Sequence, residues 1–182
     1  MSLRLRLITW LTSPLLLTLI LSLLPIPSYP LSTTAQAQTT QDRKTEADKL
    51  LEQGIQQFQR SQYKDAIQSW QQALGIYQQL KDRNGEANSL MNLGNAYNSL
   101  GQYPKAIEVY QQSLIIKRDI GDRYGEGSSL IGLGSAYNSL GQYPKAIEVY
   151  QQSLIIKRDI GDRYGEGSSL IGLGSAYNSL GQ

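Results

Sequence analysis

The chain contains no cysteine and no histidine in 182 residues. The first absence excludes a disulfide framework, a thiolate metal site, a cysteine nucleophile and lipid attachment through a cysteine. The second removes the commonest general base and the commonest metal ligand. Together they point away from an enzyme, and no metal or other cofactor is expected. An excess of one charge is lacking too. The chain has 17 basic and 15 acidic residues, a net charge of +2, and Arg4 and Arg6 stand in an N-terminal stretch without acids. Beyond that stretch the signs balance, so charge does not steer the protein towards nucleic acid or anionic lipid.

The N-terminal stretch carries its own message. Arg4 and Arg6 precede a mostly apolar run over 7–24, interrupted by Thr9, Thr12, Ser13, Pro14, Thr18 and Ser22. A proline-rich neck follows, and Ala35 and Ala37 supply the small residues of an A-x-A cleavage site. This order predicts a signal peptide over residues 1–37. The alternative is an uncleaved anchor in the inner membrane over residues 7–24. In both cases the two arginines hold the N-terminus in the cytoplasm and the rest is exported, periplasmic or secreted. Membrane contact is expected only through an uncleaved leader. Residues 38–44 are polar, lack apolar periodicity and are expected to form a flexible linker.

What dominates the remainder is repetition. Residues 101–140 recur without a change at 141–180, and 61–100 is a looser copy. A period of this length means stacked supersecondary units. Within residues 126–140, Leu130, Leu133, Gly134, Tyr137 and Leu140 fall on one helix face. Gly141 is the stop, being able to take the left-handed conformation, and Pro144 suits a first helical turn. The second helix carries Ala146, Ile147, Tyr150, Leu154 and Ile156 as its apolar stripe and ends at Gly161, and Asp162 is placed to cap the next helix. Helices are therefore expected near 43–60, 63–80, 84–100, 103–120, 124–140, 143–160 and 164–180. Neither helix of a unit can bury its stripe alone. Gly134, Ala136 and Ala146 leave room for close approach, and Tyr137 and Tyr150 fill the space beside them. The fold class is all-α, a solenoid of antiparallel helix pairs.

The pattern L-x-x-L-G-x-A-Y followed by G-x-Y-x-x-A resembles the tetratricopeptide repeat. Leu130, Leu133, Gly134, Ala136, Tyr137, Gly141, Tyr143, Ala146 and Tyr150 stand at that family's spacing. So do Leu90, Leu93, Gly94, Ala96, Tyr97, Gly101, Tyr103, Ala106 and Tyr110 one unit earlier. The resemblance covers residues 45–182, with units at about 46–85, 86–125 and 126–165 and a truncated unit over 166–182. The unit is six residues longer than the family's usual one, and Arg158 stands where its closing proline is usual. This longer form is similar to the repeats of spindle-orientation adaptors and of bacterial secreted repeat proteins, some of which carry a caspase-like protease domain downstream. The first unit is degenerate, with Gln53 and Gln57 where Leu and Tyr are expected.

The resemblance implies a tetratricopeptide superhelix that is a non-catalytic scaffold binding a protein or an extended peptide along its concave face. Carried over position by position, that face holds Asn88, Met91, Asn92, Asn95, Asn98 and Ser99 in one unit. In the next it holds Ser128, Ile131, Gly132, Ser135, Asn138 and Ser139. Asparagine both donates and accepts, which suits an extended peptide backbone. The cations that clamp a C-terminal carboxylate in some relatives are missing. Two alternatives are a recognition module of a longer protein with a C-terminal effector such as a caspase-like protease, and a membrane-tethered assembly factor.

Other features read more plainly. The glycines of residues 121–134 lack the Gly-Lys-Ser/Thr ending of a phosphate loop. Asp119, Asp122 and Glu126 alternate with Lys117, Arg118 and Arg123, which predicts a solvated, ion-paired surface. The last helix repeats the internal apolar pattern, with Leu170, Leu173 and Tyr177, and no polar cap. It suggests a fragment, or self-association through that helix.

Overall fold

The structure, a computed structural model, describes residues 33–181. Among them are seven helices and no strand: α1 (Thr33–Gln59), α2 (Tyr63–Leu80), α3 (Arg83–Ser99), α4 (Tyr103–Asp119), α5 (Arg123–Ser139), α6 (Tyr143–Asp159) and α7 (Arg163–Leu180). From Ala37 onward they form one compact unit. Apart from its last few residues, the expected signal peptide or anchor lies outside the described residues. No described helix is long and apolar enough to cross a membrane.

Helices α2 to α7 lie within one residue of the bounds read from the sequence, but α1 starts ten residues earlier, at Thr33 rather than near 43. Residues 38–44, expected as a flexible linker, are helical. Their polarity marks exposure, while Gln, Arg and Lys are good helix formers. Local bonds support the turns, from Gln38 Nε2 to Asp42 Oδ1 (3.0 Å) and from Thr45 Oγ1 to the Gln41 carbonyl (2.9 Å). Lys44 and Arg43 then reach across to Asp82 and Gln79, which ties this part of α1 to the turn after α2.

Helix starts and stops follow from the local sequence. Asp82, Asp122 and Asp162 each accept a hydrogen bond from the backbone N–H three residues on, at 3.0, 2.8 and 2.9 Å. Those bonds satisfy donors that a helix start leaves free. Pro104 and Pro144 sit in the first turns of α4 and α6. The stops at Gly101, Gly121, Gly141 and Gly161 all have φ near +70°. In the degenerate first unit the same two stops fall on Ser61 (φ 60°) and Lys81 (φ 57°).

Each helix from α2 to α7 packs on the next. The backbones of α3, α5 and α7, the first helices of their units, also approach one another, while those of α2, α4 and α6 do not. The more closely set row lies on the inside of a curved stack, so the first helices line its concave side. Aromatic rings fill the space between units. Tyr110 lies between Gly94 and Gly132, where an added Cβ would come within 2.6 and 2.5 Å of its ring. Tyr150 lies in the same way between Gly134 and Gly172, at 2.7 and 2.4 Å. Trp70 covers Gly54 in the first unit. Buried serines add polar pins: Ser113 and Ser153 donate to the carbonyls of Ala87 and Gly127, both at 2.9 Å.

One expectation is overturned. The charged run over 117–126 is ion-paired but not solvated throughout. Lys117 is 2% exposed and Glu126 5% exposed. Lys117 lies on the inner face of α4, one or two turns beyond Tyr110 and Ser113. Glu126 is held by Arg118 at 2.8 Å and by Arg123.

Candidate functional site

The concave side begins at the N-terminal halves of α3, α5 and α7, where each unit meets the next. The junction is built around one cation. Lys117 Nζ donates to Asn84 Oδ1 (3.0 Å), Asn88 Oδ1 (2.6 Å) and Asp122 Oδ2 (2.6 Å). It thereby joins α4 and α3 to the N-cap of α5. One unit on, Lys157 Nζ donates to the Tyr124 carbonyl (3.1 Å), Ser128 Oγ (3.0 Å) and Asp162 Oδ2, 2.8 Å away. It also lies 3.9 Å from the centre of the Tyr124 ring. An ammonium has three donors, and both buried lysines use all three. This is the condition under which burying a charge is tolerated.

The first unit fills the same junction from other positions. Lys44 on α1 pairs with Asp82 and lies over the Tyr77 ring, and the Tyr77 hydroxyl donates to Asp48 Oδ1 at 2.7 Å. The hydrogen bond from Lys44 to Asp82 raises the Lys44 pKa. Partial burial pushes the Asp82 and Asp122 carboxyls up, but the backbone N–H bonds and the paired lysine outweigh it and leave both below the usual carboxylate range. Asp162 is lowered by Lys157 first and by its cap bond second. Burial raises the hydroxyls of Tyr77 and Tyr110 well above the ordinary tyrosine value, and that of Tyr150 in the same direction. Charges so engaged hold helices together.

The residues expected on the groove do lie together along α3 and α5, but they differ in what they have left to offer. Asn88 is taken by Lys117, and Asn95 Oδ1 accepts from the Tyr110 hydroxyl at 2.6 Å. Asn98 and Asn138 donate to Ser135 and Ser175 on the following first helix, both at 3.3 Å, and their carbonyl oxygens are buried without a partner. Ser99 bonds back to the Asn95 carbonyl. Ser128 accepts from Lys157, and Gly132 lies against the Tyr110 ring. Met91 packs on the Tyr110 core and Ile131 on the Tyr150 core, each only half-buried. Asn92 is half-buried and makes no side-chain hydrogen bond to the described residues, and Ser139 is exposed.

Between α5 and α7 the groove deepens into a cavity of about 170 Å³ lined by Tyr124, Ser128, Ile131, Lys157, Asp162, Tyr164, Gly165 and Ser168. At the corresponding place one unit earlier Asn84 and Asn88 stand in for Tyr124 and Ser128 and reach the lysine with their side chains. The lysines escaped the sequence reading, which placed them on a solvated face. The signal was there: Tyr110, Ser113 and Lys117 follow one another at helical spacing, so the buried stripe of α4 ends in a cation.

Stacked helix pairs with this Gly–Tyr packing define a helical-repeat solenoid. Family profiles described as tetratricopeptide repeat match residues 45–119 and 129–164, together more than half of the chain. The chain belongs to the tetratricopeptide repeat family. A search of curated proteins found no match. Among solved structures it is similar to a tetratricopeptide-like protein of Chlorobium tepidum, with 14% identity over 79% of this chain and 99% of that one, at a TM-score of 0.64. It is similar to a putative kinesin light chain of Podospora anserina with nearly identical repeats, with 22% identity over 75% and 67% of the two chains, at 0.63. The tetratricopeptide domain of Sgt2 from Aspergillus fumigatus shares 26% identity over 74% and 79%, at 0.60. Repeats of this family generally mediate protein–protein interaction.

Proposed function

We propose that the concave row formed by α3, α5 and α7 binds an extended peptide or a segment of a protein partner, and that the chain acts as a non-catalytic scaffold. The observation that carries this reading is the unequal use of the groove residues. Asn92 keeps a free donor and a free acceptor, Met91 and Ile131 are only partly buried, and the cavity beside Ile131 has room for a side chain. Asparagine to hold a backbone, with apolar ground for alternate side chains, is the combination that an extended ligand needs. The polar atoms of Asn88, Asn95, Asn98 and Ser128 that already have partners position this surface. Export is part of the proposal, supported by the basic start, apolar run and A-x-A site of residues 1–37.

The test is to pan a random peptide library against the full chain and measure the affinity of a selected peptide for the wild type and for Asn92→Ala. The reading expects a loss of about tenfold or more, the size of one buried polar contact, with an unchanged melting temperature. Peptides that bind both proteins equally would move the site elsewhere.

A further inference from the structure

Asn84 and Gly85 form the one Asn–Gly pair in the chain, and in the later units Tyr124 and Tyr164 stand where Asn84 does. Glycine has no side chain to shield its nitrogen, so such a pair can close on itself. The Gly85 nitrogen attacks Asn84 Cγ and forms a five-membered succinimide, and the side-chain amide leaves as ammonia with the proton that the nitrogen gives up. Water then opens the ring. Attack at Cγ restores the main chain and leaves aspartate. Attack at the main-chain carbonyl leaves isoaspartate, with one more methylene in the backbone.

The fold sets the reacting groups in defined places. Asn84 is exposed in the first turn of α3. The Gly85 N–H, which must lose its proton, donates to the Asp82 carboxylate at 3.0 Å. Asn84 Oδ1, where negative charge builds as the ring closes, accepts from the Lys117 ammonium at 3.0 Å. A carboxylate at the proton and a cation at the oxygen are what this step calls for. The torsion is what the fold withholds. The helical backbone turns the Gly85 nitrogen away from Cγ, and ring closure needs it in line at close range. Three contacts hold that turn: the Gly85 cap bond, the Glu86 N–H to the Asp82 carbonyl at 3.0 Å, and the Tyr77 ring, which would lie 2.3 Å from a Cβ added at Gly85.

We propose that Asn84–Gly85 is a self-modification site, closed while the first turn of α3 is formed and open when that turn frays, and that an aspartate formed at position 84 pairs with Lys117. Helix ends open locally at a lower free energy than the whole fold, so the modification records time spent with this turn open. Lys117 now meets one carboxylate, Asp122, and two side-chain amide oxygens, those of Asn84 and Asn88. A second carboxylate suits both the ammonium and the first turn of a helix. Isoaspartate does the reverse, because the longer backbone cannot continue the turn. The site is independent of peptide binding in the concave groove.

The experiment incubates the full chain in mildly alkaline buffer, folded and in denaturing guanidinium, and follows residue 84 by proteolysis and tandem mass spectrometry with electron-transfer fragmentation, which separates aspartate from isoaspartate. Conversion in the unfolded chain should be about tenfold faster or more than in the folded one. Gly134→Ala, which loosens the packing far from this site, should convert at the wild-type rate when folded. Equal rates in folded and unfolded chains would overturn the gate, and so would a rate that rises in Gly134→Ala, which would tie the reaction to global unfolding. The product is tested with Asn84→Asp. It should raise the urea midpoint of the wild type and leave that of Lys117→Met unraised. A lowered midpoint, or an equal gain in both backgrounds, would overturn the pairing with Lys117.

Discussion

Lys44 and Lys157 each lie over a tyrosine ring and each pair with the N-cap aspartate of the next unit's first helix, yet the lysine and the tyrosine have exchanged helices. Lys44 is on α1 and its ring, Tyr77, on α2. Lys157 is on α6 and its ring, Tyr124, on α5. Position 44 is the counterpart of 124, and 77 of 157, two periods apart. Each junction between units thus sets a cation against an aspartate, and where an aromatic ring lies beside the cation, as with Tyr77 and Tyr124, either helix of the unit can supply it.

That indifference can be tested by exchange. Lys157→Tyr removes the cation from Asp162, and Tyr124→Lys sets a second ammonium beside the first. Each single change should lower the urea midpoint. The double variant should recover, with a coupling of about 1 kcal/mol or more in its favour. Additive losses would show that the exchanged pair in the first unit is incidental.

The aspartates also set the acid limit of stability. Their folded pKa values are depressed. Their contribution is therefore present above the unfolded value of about 4 and is lost as pH falls through the folded values, where the unfolded chain binds more protons. The raised tyrosines act at the other end. Their contribution is complete below the unfolded value of about 10 and is lost as pH rises through the folded ones. Urea midpoints should stay flat near neutrality and fall at both extremes. Asp122→Asn should flatten the acid arm.

The identical helices α5 and α7 offer a test of packing at constant sequence. Gly134→Ala forces a methyl to 2.7 Å from the Tyr150 ring, which Gly172 confines from the other side. It should destabilise by about 1–3 kcal/mol. Gly174→Ala meets nothing within 4 Å, and should stabilise by about 0.5–1 kcal/mol through helix propensity. Equal effects of the two changes would deny the stacking described above.

The degenerate first unit carries two left-handed residues that are not glycine. Ser61→Gly and Lys81→Gly should each raise stability by about 0.5–1 kcal/mol by relieving the Cβ–carbonyl clash of that conformation. A fall in melting temperature would mean that these side chains contribute more than the strain costs.

Much of this was legible in the sequence, because each local signal agreed with the period. The glycine stops, the aspartate caps and the Tyr–Gly pairs all stood at fixed offsets, and they place α2 to α7 within one residue. Two features were hidden. The early start of α1 rests on propensity and on ties from Arg43 and Lys44 to Gln79 and Asp82, which leave no apolar period. The burial of Lys117 and Lys157 depends on partners brought in from three helices, and a charged residue alone reads as exposed. The groove residues stand on the expected helix row, but which of their polar atoms were already taken could be learned only from the packing, as Asn88 and Asn92 show.

In the proposed function a partner lies along the concave row of first helices. Because the chain has no cysteine, single cysteines report cleanly. We would measure maleimide labelling of Asn92→Cys and of Gln112→Cys, the latter exposed on α4, with and without a saturating library-selected peptide. Slower labelling at position 92 with an unchanged rate at 112 is the predicted result. Protection at 112 with none at 92 would put the binding surface on the second helices instead.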